Sequence, residues 1–424
     1  MSERRFIEAG ELPARADVVI IGGGPAGTAA AWAVERAAPG TQVVLLEQSG
    51  SLGAGASLAS LENFRTCWPA LCLARMMQRS VDVFLNPAAD LGENVALGVK
   101  RQGYLYVAVD EKGAVSLRCD VMHLHNIGLS HVEYLDTSEV AYRYPWLGAR
   151  VVAAKFDPLA GWLDSHALIH AYASHTRAAR FALGVQDTRI RIRNGRVGGV
   201  TTAGGTIDAP NVVIAAGANA RQVGRSAGIE IPVVVRPRQS FTTPWRHESF
   251  PEDAPCIISA PPFPHVRPEA RAGAIFGWEY GGVPTLAAPE QPAESFRDSR
   301  FPSLTLALLA RQFGHRDGDG FADPRYLRGI SHRAGYYVCR SGAYATLPDG
   351  TQQPYESQRA IIDAWPGLDG LFLSVAHVGH GVMSSPAAGE ILAAKVLGRA
   401  LPDPAYADFG LDVPYVEHDA GGLH

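Results

Sequence analysis

Short apolar runs and breaks of small residues alternate along the first 50 residues of the chain. Residues 17–21 ("DVVII") are mostly β-branched and apolar, without polar alternation, which is typical of a strand buried on both faces. The next stretch repeats small residues and predicts a thin helix, with Ala26, Ala29, Ala30 and Ala33. Residues 42–46 predict a second strand, which ends at Glu47. The order strand, helix, strand predicts a βαβ unit.

Helical and strand periods continue in blocks along the rest of the chain. The predicted helices cover residues 69–85, 301–313 and a stretch within 161–180 that begins near Asp164 or Ser165. The predicted strands cover residues 103–110, 197–207, 212–215 and 274–280. Residues 132–147 predict a strand followed by a short helix, with Asp136 or Thr137 as its N-cap.

A strand, a loop and a helix are predicted near the C-terminus, over residues 370–398. Ser385 suits the N-cap of this helix, and Pro386 suits its first turn, where the missing N–H is no loss. The loop of residues 377–383 ("HVGHGVM") would then lead into a helix N-terminus, which favours negative charge in front of it.

The first βαβ unit carries the glycine pattern of a dinucleotide site. Gly22 would allow the tight turn, Gly24 would let a pyrophosphate approach the backbone, and Gly27 would let helix and strand touch. Pro25 suits the first helical turn. Glu47 follows Gly27 by 20 residues and can accept hydrogen bonds from a ribose diol. These residues predict a bound dinucleotide, with NAD and FAD both possible.

Composition narrows the class of protein. The chain has 424 residues, 47% of them hydrophobic, which predicts two domains. A net charge of −4 gives no sign of a nucleic-acid partner. The five cysteines form no CxxC pair and predict reduced thiols in a cytoplasmic protein, and we expect no metal site. Neither an apolar leader nor an apolar run long enough for a transmembrane helix is visible.

Several segments together resemble the FAD-dependent family of D-amino-acid oxidase, glycine oxidase and sarcosine oxidase. They are "DVVIIGGGPAGTAAA", "VVLLEQ", "GASLASLENFR", "GYLYVA", "LDTSEVAYRYPWL", "FDPLAGWLD", "NVVIAAGAN" and "GLFLSVAHVGHGVMSSPAAGEILA". The resemblance spans most of the chain and is weak over residues 242–328. It implies FAD rather than NAD, because the C-terminal loop and helix return to the cofactor.

The resemblance implies an α/β fold in which a Rossmann-like FAD-binding domain is assembled from discontinuous segments. We expect residues 14–90, 150–235 and 335–400 in this domain. Residues 91–149 and 236–334 would form a substrate domain with a large mixed or antiparallel sheet, and residues 401–424 a C-terminal tail.

The same resemblance implies the cofactor contacts. The pyrophosphate and ribose would lie against the first glycine turn and its following acid, the adenine near Val185, and the flavin against the last loop. The implied residues are Gly22, Gly24, Pro25, Ala26, Gly27, Glu47, Gln48, Ala56, Ser57, Val185, Ala216, Gly217, Gly379, His380, Gly381, Val382 and Met383.

Two departures from the family pattern concern the flavin linkage and the substrate. Gly342 and Ala59 stand where covalent members carry Cys and His, so we expect non-covalent FAD. Cys339 keeps a thioether open as the alternative, because it lies three residues from Gly342.

The substrate-binding positions also differ. Met383 replaces the lysine of sarcosine-type oxidases, and Tyr337 replaces the arginine of glycine-type oxidases. Arg340 or Arg65 could bind a substrate carboxylate instead. His380 is a candidate acid–base residue, with a purely backbone role as the alternative.

The implied activity is oxidation of a C–N bond in an amino acid or a secondary or tertiary amine. Hydride transfer to FAD would give an imine that hydrolyses. The electron acceptor would be O₂ or a carrier. The alternatives are FAD-dependent oxidation of a 2-hydroxy acid and a non-catalytic FAD-binding assembly factor.

Overall fold

The computed structural model describes residues 5–279, 284–316, 318–341, 344–346, 352–354 and 357–413. In these residues the strands are β1 (Phe6–Glu8), β2 (Val18–Ile21), β3 (Val43–Leu46), β4 (Asn63–Phe64), β5 (Tyr104–Ala108), β6 (Glu133–Leu135), β7 (Ala153–Asp157), β8 (Gly161–Trp162), β9 (Arg180–Leu183), β10 (Arg189–Arg193), β11 (Arg196–Thr202), β12 (Gly205–Ile207), β13 (Asn211–Ile214), β14 (Val233–Thr243), β15 (Cys256–Ile258), β16 (His265–Glu269), β17 (Gly273–Trp278), β18 (Ser331–Arg340), β19 (Tyr344–Thr346), β20 (Gln352–Pro354), β21 (Ile361–Ala364) and β22 (Leu371–Val375).

The α-helices of the same residues are α1 (Pro25–Ala37), α2 (Leu71–Leu85), α3 (Pro87–Leu91), α4 (Glu111–Asn126), α5 (Thr137–Arg143), α6 (Ser165–Ser174), α7 (Ala220–Ser226), α8 (Phe301–Phe313) and α9 (Gly381–Val396). Single 3₁₀ turns cover Ala56–Ala59, Pro145–Leu147, Gly217–Asn219, Ala293–Phe296, Gly320–Ala322, Pro324–Leu327 and Pro404–Phe409.

A seven-stranded sheet holds the predicted βαβ unit. Its order is β1-β9-β3-β2-β13-β22-β21, parallel throughout except for the pair of β21 and β22. Alternate residues of β2 enter two different cores. Val18 and Ile20 pack with α1 and α9, whereas Val19 and Ile21 pack towards β10–β12. Burial on both faces explains why β2 is apolar throughout.

The small residues of α1 allow close contact with α9, a helix that lies outside the βαβ unit. A Cβ added at Gly389 of α9 would collide with the carbonyl of Ala29 in α1. The two helices therefore lie close together on one face of the sheet, and the C-terminal helix is brought beside the first glycine turn.

An eight-stranded sheet forms the second layer, in the order β18-β14-β17-β16-β15-β5-β7-β6. It is antiparallel except for the parallel pair of β15 and β5. One face carries an aromatic core under α8, including stacked Phe241 and Phe276 with centroids 4.6 Å apart. The predicted fold class, a discontinuous Rossmann-like unit with a large mixed sheet, is confirmed.

Sheet membership differs from the expected division of the chain at β7 and at parts of β14 and β18. Residues 233–235 of β14 and 335–340 of β18 lie in segments expected in the cofactor domain, but both strands belong to the eight-stranded sheet. β7 lies within the segment 150–235 that we expected in the cofactor domain, yet it pairs with β5 and β6 in the eight-stranded sheet. The sequence of β7, AAKFD, does not indicate which sheet it joins, and its long-range pairing decides this.

Most predicted elements lie close to their observed bounds, but the start of α9 is a correction. The helix begins at Gly381 with His380 as N-cap, so Ser385 and Pro386 lie inside it. Asp136 and Asp164 do cap α5 and α6 through their side chains. The prediction for α9 was wrong because the residues that favour a helix start here serve a different hydrogen bond, described below.

Two further findings concern the part of the chain that the structure describes. Within it, no disulfide joins the cysteines Cys67, Cys72, Cys119, Cys256 and Cys339. No helix there combines the length and the apolar character needed to cross a membrane.

Candidate active site

One cavity of about 1160 Å³ lies between the two large sheets. The carboxyl ends of β2, β3, β13 and β22 form one wall, and residues of β14, β16 and β18 form the facing wall. Ligands bind outside the carboxyl ends of parallel strands in open α/β sheets. The volume exceeds the roughly 300–1,000 Å³ of ordinary small-molecule pockets, which suits a dinucleotide together with a second ligand.

The three glycines of the first turn differ in the space around them. A Cβ at Gly22, whose φ is +117°, would overlap the carbonyl of Ala215, and a Cβ at Gly27 would overlap the carbonyl of Gly22. At Gly24, which borders the cavity, no described residue other than its chain neighbours lies within 4 Å of the added Cβ. Gly22 and Gly27 are thus required by the protein's own packing, whereas Gly24 leaves space for a ligand at the N-terminus of α1. Pro25 and Ala26, in the first turn of α1, also line the cavity.

Glu47 is held in place at the end of β3. Its carboxylate accepts the backbone N–H of Gly23 at 2.6 Å and that of Ser49 at 2.7 Å. A carboxylate has about four acceptor positions, so two remain for hydroxyl groups of a ligand. Gln48 and Val185 border the same end of the cavity, and the N–H of Val185 donates to the carbonyl of Glu47.

The middle of the cavity is bordered by two small-residue segments. Ala56 and Ser57 lie in the turn Ala56–Ala59, and Ala216 and Gly217 follow β13. Their short side chains keep the space between the two ends of the cavity open.

The C-terminal loop turns sharply before it enters α9. Ala376 and Val378 have positive φ angles of 61° and 48°, which are uncommon for residues with a Cβ. Gly379 lies against the Tyr337 hydroxyl, and a Cβ there would overlap it. Gly379, His380, Gly381, Val382 and Met383 all line the cavity at the N-terminus of α9. The first turn of a helix has N–H groups without helical partners, so this end suits a ligand with partial negative charge.

Two buried histidines, both uncharged at neutral pH, hold this loop in place through hydrogen bonds. His380 Nε2 lies 2.6 Å from the Gln358 carbonyl, and its ring meets Trp68 edge-on at 5.0 Å. His377 bridges Ser374 and Ser384, at 3.1 and 3.2 Å. Burial lowers the pKa of His377 to about 4 and that of His380 to about 3. At neutral pH, His380 is therefore a hydrogen-bonding group rather than a general acid.

These histidines predict a loss of stability in acid. A third one, His265 in the facing wall, has its pKa lowered by burial to about 4. An unfolded chain takes up protons on these residues near pH 6.5, whereas the folded protein does not until about pH 4. We expect the free energy of unfolding to fall as pH drops from 6.5 to 4, by about 1.4 kcal/mol per histidine per pH unit.

Urea unfolding at several pH values measures this slope. His377→Gln should make the slope shallower, whereas His170→Gln, at an exposed position on α6, should not change it. Equal slopes for the wild type and His377→Gln would contradict the assignment.

Arg65 is a buried cation at the border of the cavity. It is 6% exposed, borders the cavity, and its guanidinium lies 4.2 Å from the Trp68 ring and 5.7 Å from that of Tyr104. Burial opposes its charge, but Tyr106, Tyr104 and a neighbouring thiol together raise the pKa of Arg65 above its usual value. The cavity therefore has a permanent positive charge in a water-poor place.

Asp157 anchors the backbone beside Arg65. This fully buried carboxylate accepts the N–H of Thr66 at 2.7 Å, the Thr66 hydroxyl at 2.9 Å and the N–H of Cys67 at 3.1 Å. Since Arg65 and Trp68 flank these two residues, Asp157 fixes where both side chains enter the cavity.

Arg340 does not reach the cavity, which corrects one of the two expectations for the carboxylate-binding residue. It lies three positions after Tyr337 on β18, and successive strand side chains point to opposite faces. Its guanidinium donates to the carbonyls of Arg359, Ala360, Gly410 and Leu411. Arg340 therefore ties β18 to the segments before β21 and after the last 3₁₀ turn.

Tyr337 does border the cavity, as expected, and burial raises its pKa to about 12. Arg238 lies over its ring at 5.3 Å and is a cavity residue that the sequence analysis missed. Tyr104, His265 and Glu279 were missed too. Only Tyr104 had a visible signal: the alternation of "YLYV" predicts one face of a strand carrying both tyrosines.

The positions relevant to a covalent flavin are only partly described. Ala59 borders the cavity, as its expected place beside the cofactor requires. Gly342 lies outside the described residues. Cys339 is 1% exposed, and burial raises the pKa of its thiol to about 11, which disfavours the reactive thiolate.

A family model described as DAO, FAD dependent oxidoreductase, matches residues 17–395. The chain belongs to this family. It is 24% identical over 415 residues to sarcosine oxidase subunit beta of Rhizobium meliloti (strain 1021), covering 93% of this chain and 88% of the relative. It is 25% identical over 389 residues to glycine oxidase of Geobacillus kaustophilus (strain HTA426), covering 89% and 92%.

A solved structure of L-proline dehydrogenase from P. horikoshii superposes with a TM-score of 0.75 at 22% identity, over 94% of this chain and 98% of that one. This likeness supports the fold. Membership of the family makes the chain an FAD-dependent oxidoreductase, with FAD as cofactor. The open space at Gly24 and the N-terminal end of α9 fit that cofactor at two separate places of one cavity.

Proposed function

We propose that this FAD-dependent oxidoreductase oxidises the C–N bond of an amino acid or of a secondary or tertiary amine that carries a carboxylate. FAD would lie non-covalently with its pyrophosphate at Gly24 and α1, its ribose at Glu47 and its flavin ring at the N-terminus of α9. When bound, FAD would accept a hydride from the carbon next to the substrate nitrogen. The remaining iminium ion would be hydrolysed by water to a carbonyl compound and an amine, with release of a proton.

The observation that carries the substrate class is the buried charge of Arg65 at the cavity wall. A guanidinium pairs with a carboxylate through two parallel hydrogen bonds, and the pair is stronger where water is excluded. Trp68 packs against Arg65, whose guanidinium carbon lies 4.2 Å from the centre of the indole ring.

The other polar residues suit an amine that reacts in its neutral form. His265, His377 and His380 are uncharged at neutral pH, so they do not repel a substrate ammonium on arrival. The hydroxyl of Tyr337, which stays protonated at neutral pH, can donate to a substrate oxygen beside Gly379. Together these groups orient the substrate without taking part in covalent chemistry.

Anaerobic mixing with a substrate panel tests the proposal. The panel should contain glycine, N-methylglycine, proline, matching amines without the carboxylate, and the matching 2-hydroxy acids. We expect the flavin absorbance near its visible maximum to bleach with at least one amino acid and not with its decarboxylated counterpart. Bleaching by the 2-hydroxy acids alone would show that the C–N assignment is wrong.

The electron acceptor can be identified in the same preparation. We propose either O₂ or an electron carrier in this role. Re-oxidation by air with release of hydrogen peroxide would identify an oxidase. Slow re-oxidation by air and fast re-oxidation by an artificial electron-accepting dye would identify a dehydrogenase.

A further inference from the structure

The second turn of α9 contains a proline whose missing hydrogen bond is replaced by a side chain. Pro386 is the sixth residue of the helix and has no N–H to donate to the carbonyl of Val382, four residues earlier. The Ser385 hydroxyl donates to this same carbonyl at 2.9 Å. The carbonyl is thereby satisfied although the backbone cannot satisfy it.

A second hydroxyl completes the arrangement. Tyr172 of α6 lies with its oxygen 2.9 Å from the Ser385 oxygen. Ser385 has one hydroxyl proton, which Val382 accepts, so Tyr172 must donate to Ser385. Burial raises the pKa of Tyr172 well above its usual value, and its proton is retained at all physiological pH values.

Both hydroxyls are completely buried, so water cannot take the place of either one. Ser385 and Tyr172 are each 0% exposed, and Val382 is 7% exposed and borders the cavity. A buried carbonyl that loses its donor costs about 1–3 kcal/mol. We expect the helix turn to shift rather than keep Val382 in its present position without a donor.

We propose that Tyr172 and Ser385 are positioning residues that set the orientation of the N-terminal turn of α9 towards the flavin. The pair acts through Val382 and its neighbours and does not itself touch the cavity. The inference rests on the proposed place of the flavin at this helix end and is independent of the substrate. Its consequence is electrostatic: N–H groups aimed at the flavin stabilise the negative charge of its reduced form.

Four variants test the role of Tyr172 and Ser385. Ser385→Ala should weaken FAD binding about tenfold and lower the flavin midpoint potential. Tyr172→Phe should also lower the FAD affinity and the midpoint potential, but by smaller amounts. In the double variant Ser385→Ala/Pro386→Ala, the backbone N–H at position 386 can donate to Val382. We expect FAD affinity and potential to return towards those of Pro386→Ala alone.

The measurements are FAD titration of the apoprotein, the potential against a reference dye, and thermal unfolding with and without FAD. Ser80→Ala is the matched control, because Ser80 is also 0% exposed and its hydroxyl accepts from the N–H of Ala387 in α9, at 3.4 Å. Ser80→Ala should change thermal stability but leave the FAD affinity and the flavin potential at wild-type values.

A purely structural pair gives a different result. Ser385→Ala and Tyr172→Phe would then lower the unfolding temperature while FAD affinity and potential stayed at wild-type values, and the inference would be wrong. If Ser385→Ala does not fold, Tyr172→Phe still decides, since it removes only one hydroxyl. Such a failure leaves the amine-oxidation proposal untouched, because that proposal depends on the substrate panel.

Discussion

Gly24→Ala is expected to weaken FAD binding markedly while leaving the apoprotein folded. Apart from its chain neighbours, none of the described residues lies within 4 Å of the added methyl group, and the backbone has an ordinary φ of −77°. The methyl group would instead occupy space that the pyrophosphate needs. Forcing one extra methyl into a packed site costs about 1–3 kcal/mol, which corresponds to about 5- to 150-fold in affinity.

Gly27→Ala is the matched comparison. Its methyl group would overlap the Gly22 carbonyl within the protein, so we expect the apoprotein itself to lose stability. FAD titration together with thermal unfolding of both apoproteins separates the two effects. Gly24→Ala with wild-type FAD affinity would place the cofactor elsewhere and contradict the proposed site.

Arg65→Ala is expected to cause the largest loss of turnover with a carboxylate substrate. Removing one partner of a buried charge pair costs about 2–5 kcal/mol, which corresponds to about 30- to 5,000-fold in kcat/KM. Arg65→Lys keeps the charge but loses the planar fork, so we expect it to recover only part of this loss. Steady-state kinetics on the best amino acid of the panel measure both variants.

The same variants on a substrate without a carboxylate provide the control. For an amine that lacks the carboxylate, Arg65→Ala should change kcat/KM far less than for the amino acid. Arg340→Ala examines the competing assignment: four carbonyls lose their donor, so stability should fall. If Arg340→Ala raised KM selectively for carboxylates and Arg65→Ala did not, the assignment to Arg65 would be wrong.

Local chemistry explains which parts of the cofactor site could be predicted from sequence. Gly22, Gly24 and Gly27 follow a strand, open a helix and precede Glu47 at a fixed spacing, and each step depends on residues close together in the chain. The caps at Asp136 and Asp164 are equally local. Such signals survive without knowledge of the tertiary fold, because the interacting atoms are neighbours in sequence.

The start of α9 shows how a local signal can mislead. Ser385 followed by Pro386 is a good helix start in isolation, yet the helix begins five residues earlier, at Gly381 with His380 as its N-cap. The serine satisfies a carbonyl inside the helix, and a tyrosine from α6, more than 200 residues away, supports it. No pattern within the C-terminal segment contains that partner.

By itself, the sequence determined the βαβ unit, the dinucleotide turn and the residues around it, because turn geometry and strand burial are encoded by adjacent residues. Tertiary structure decided which arginine faces the cavity and which sheet receives β7. Strand parity turns Arg340 away from the face of Tyr337, and Asp157 fixes Arg65 from a strand more than 90 residues distant. These outcomes depend on pairing between segments far apart in the chain. Short-range periodicity does not predict such pairing.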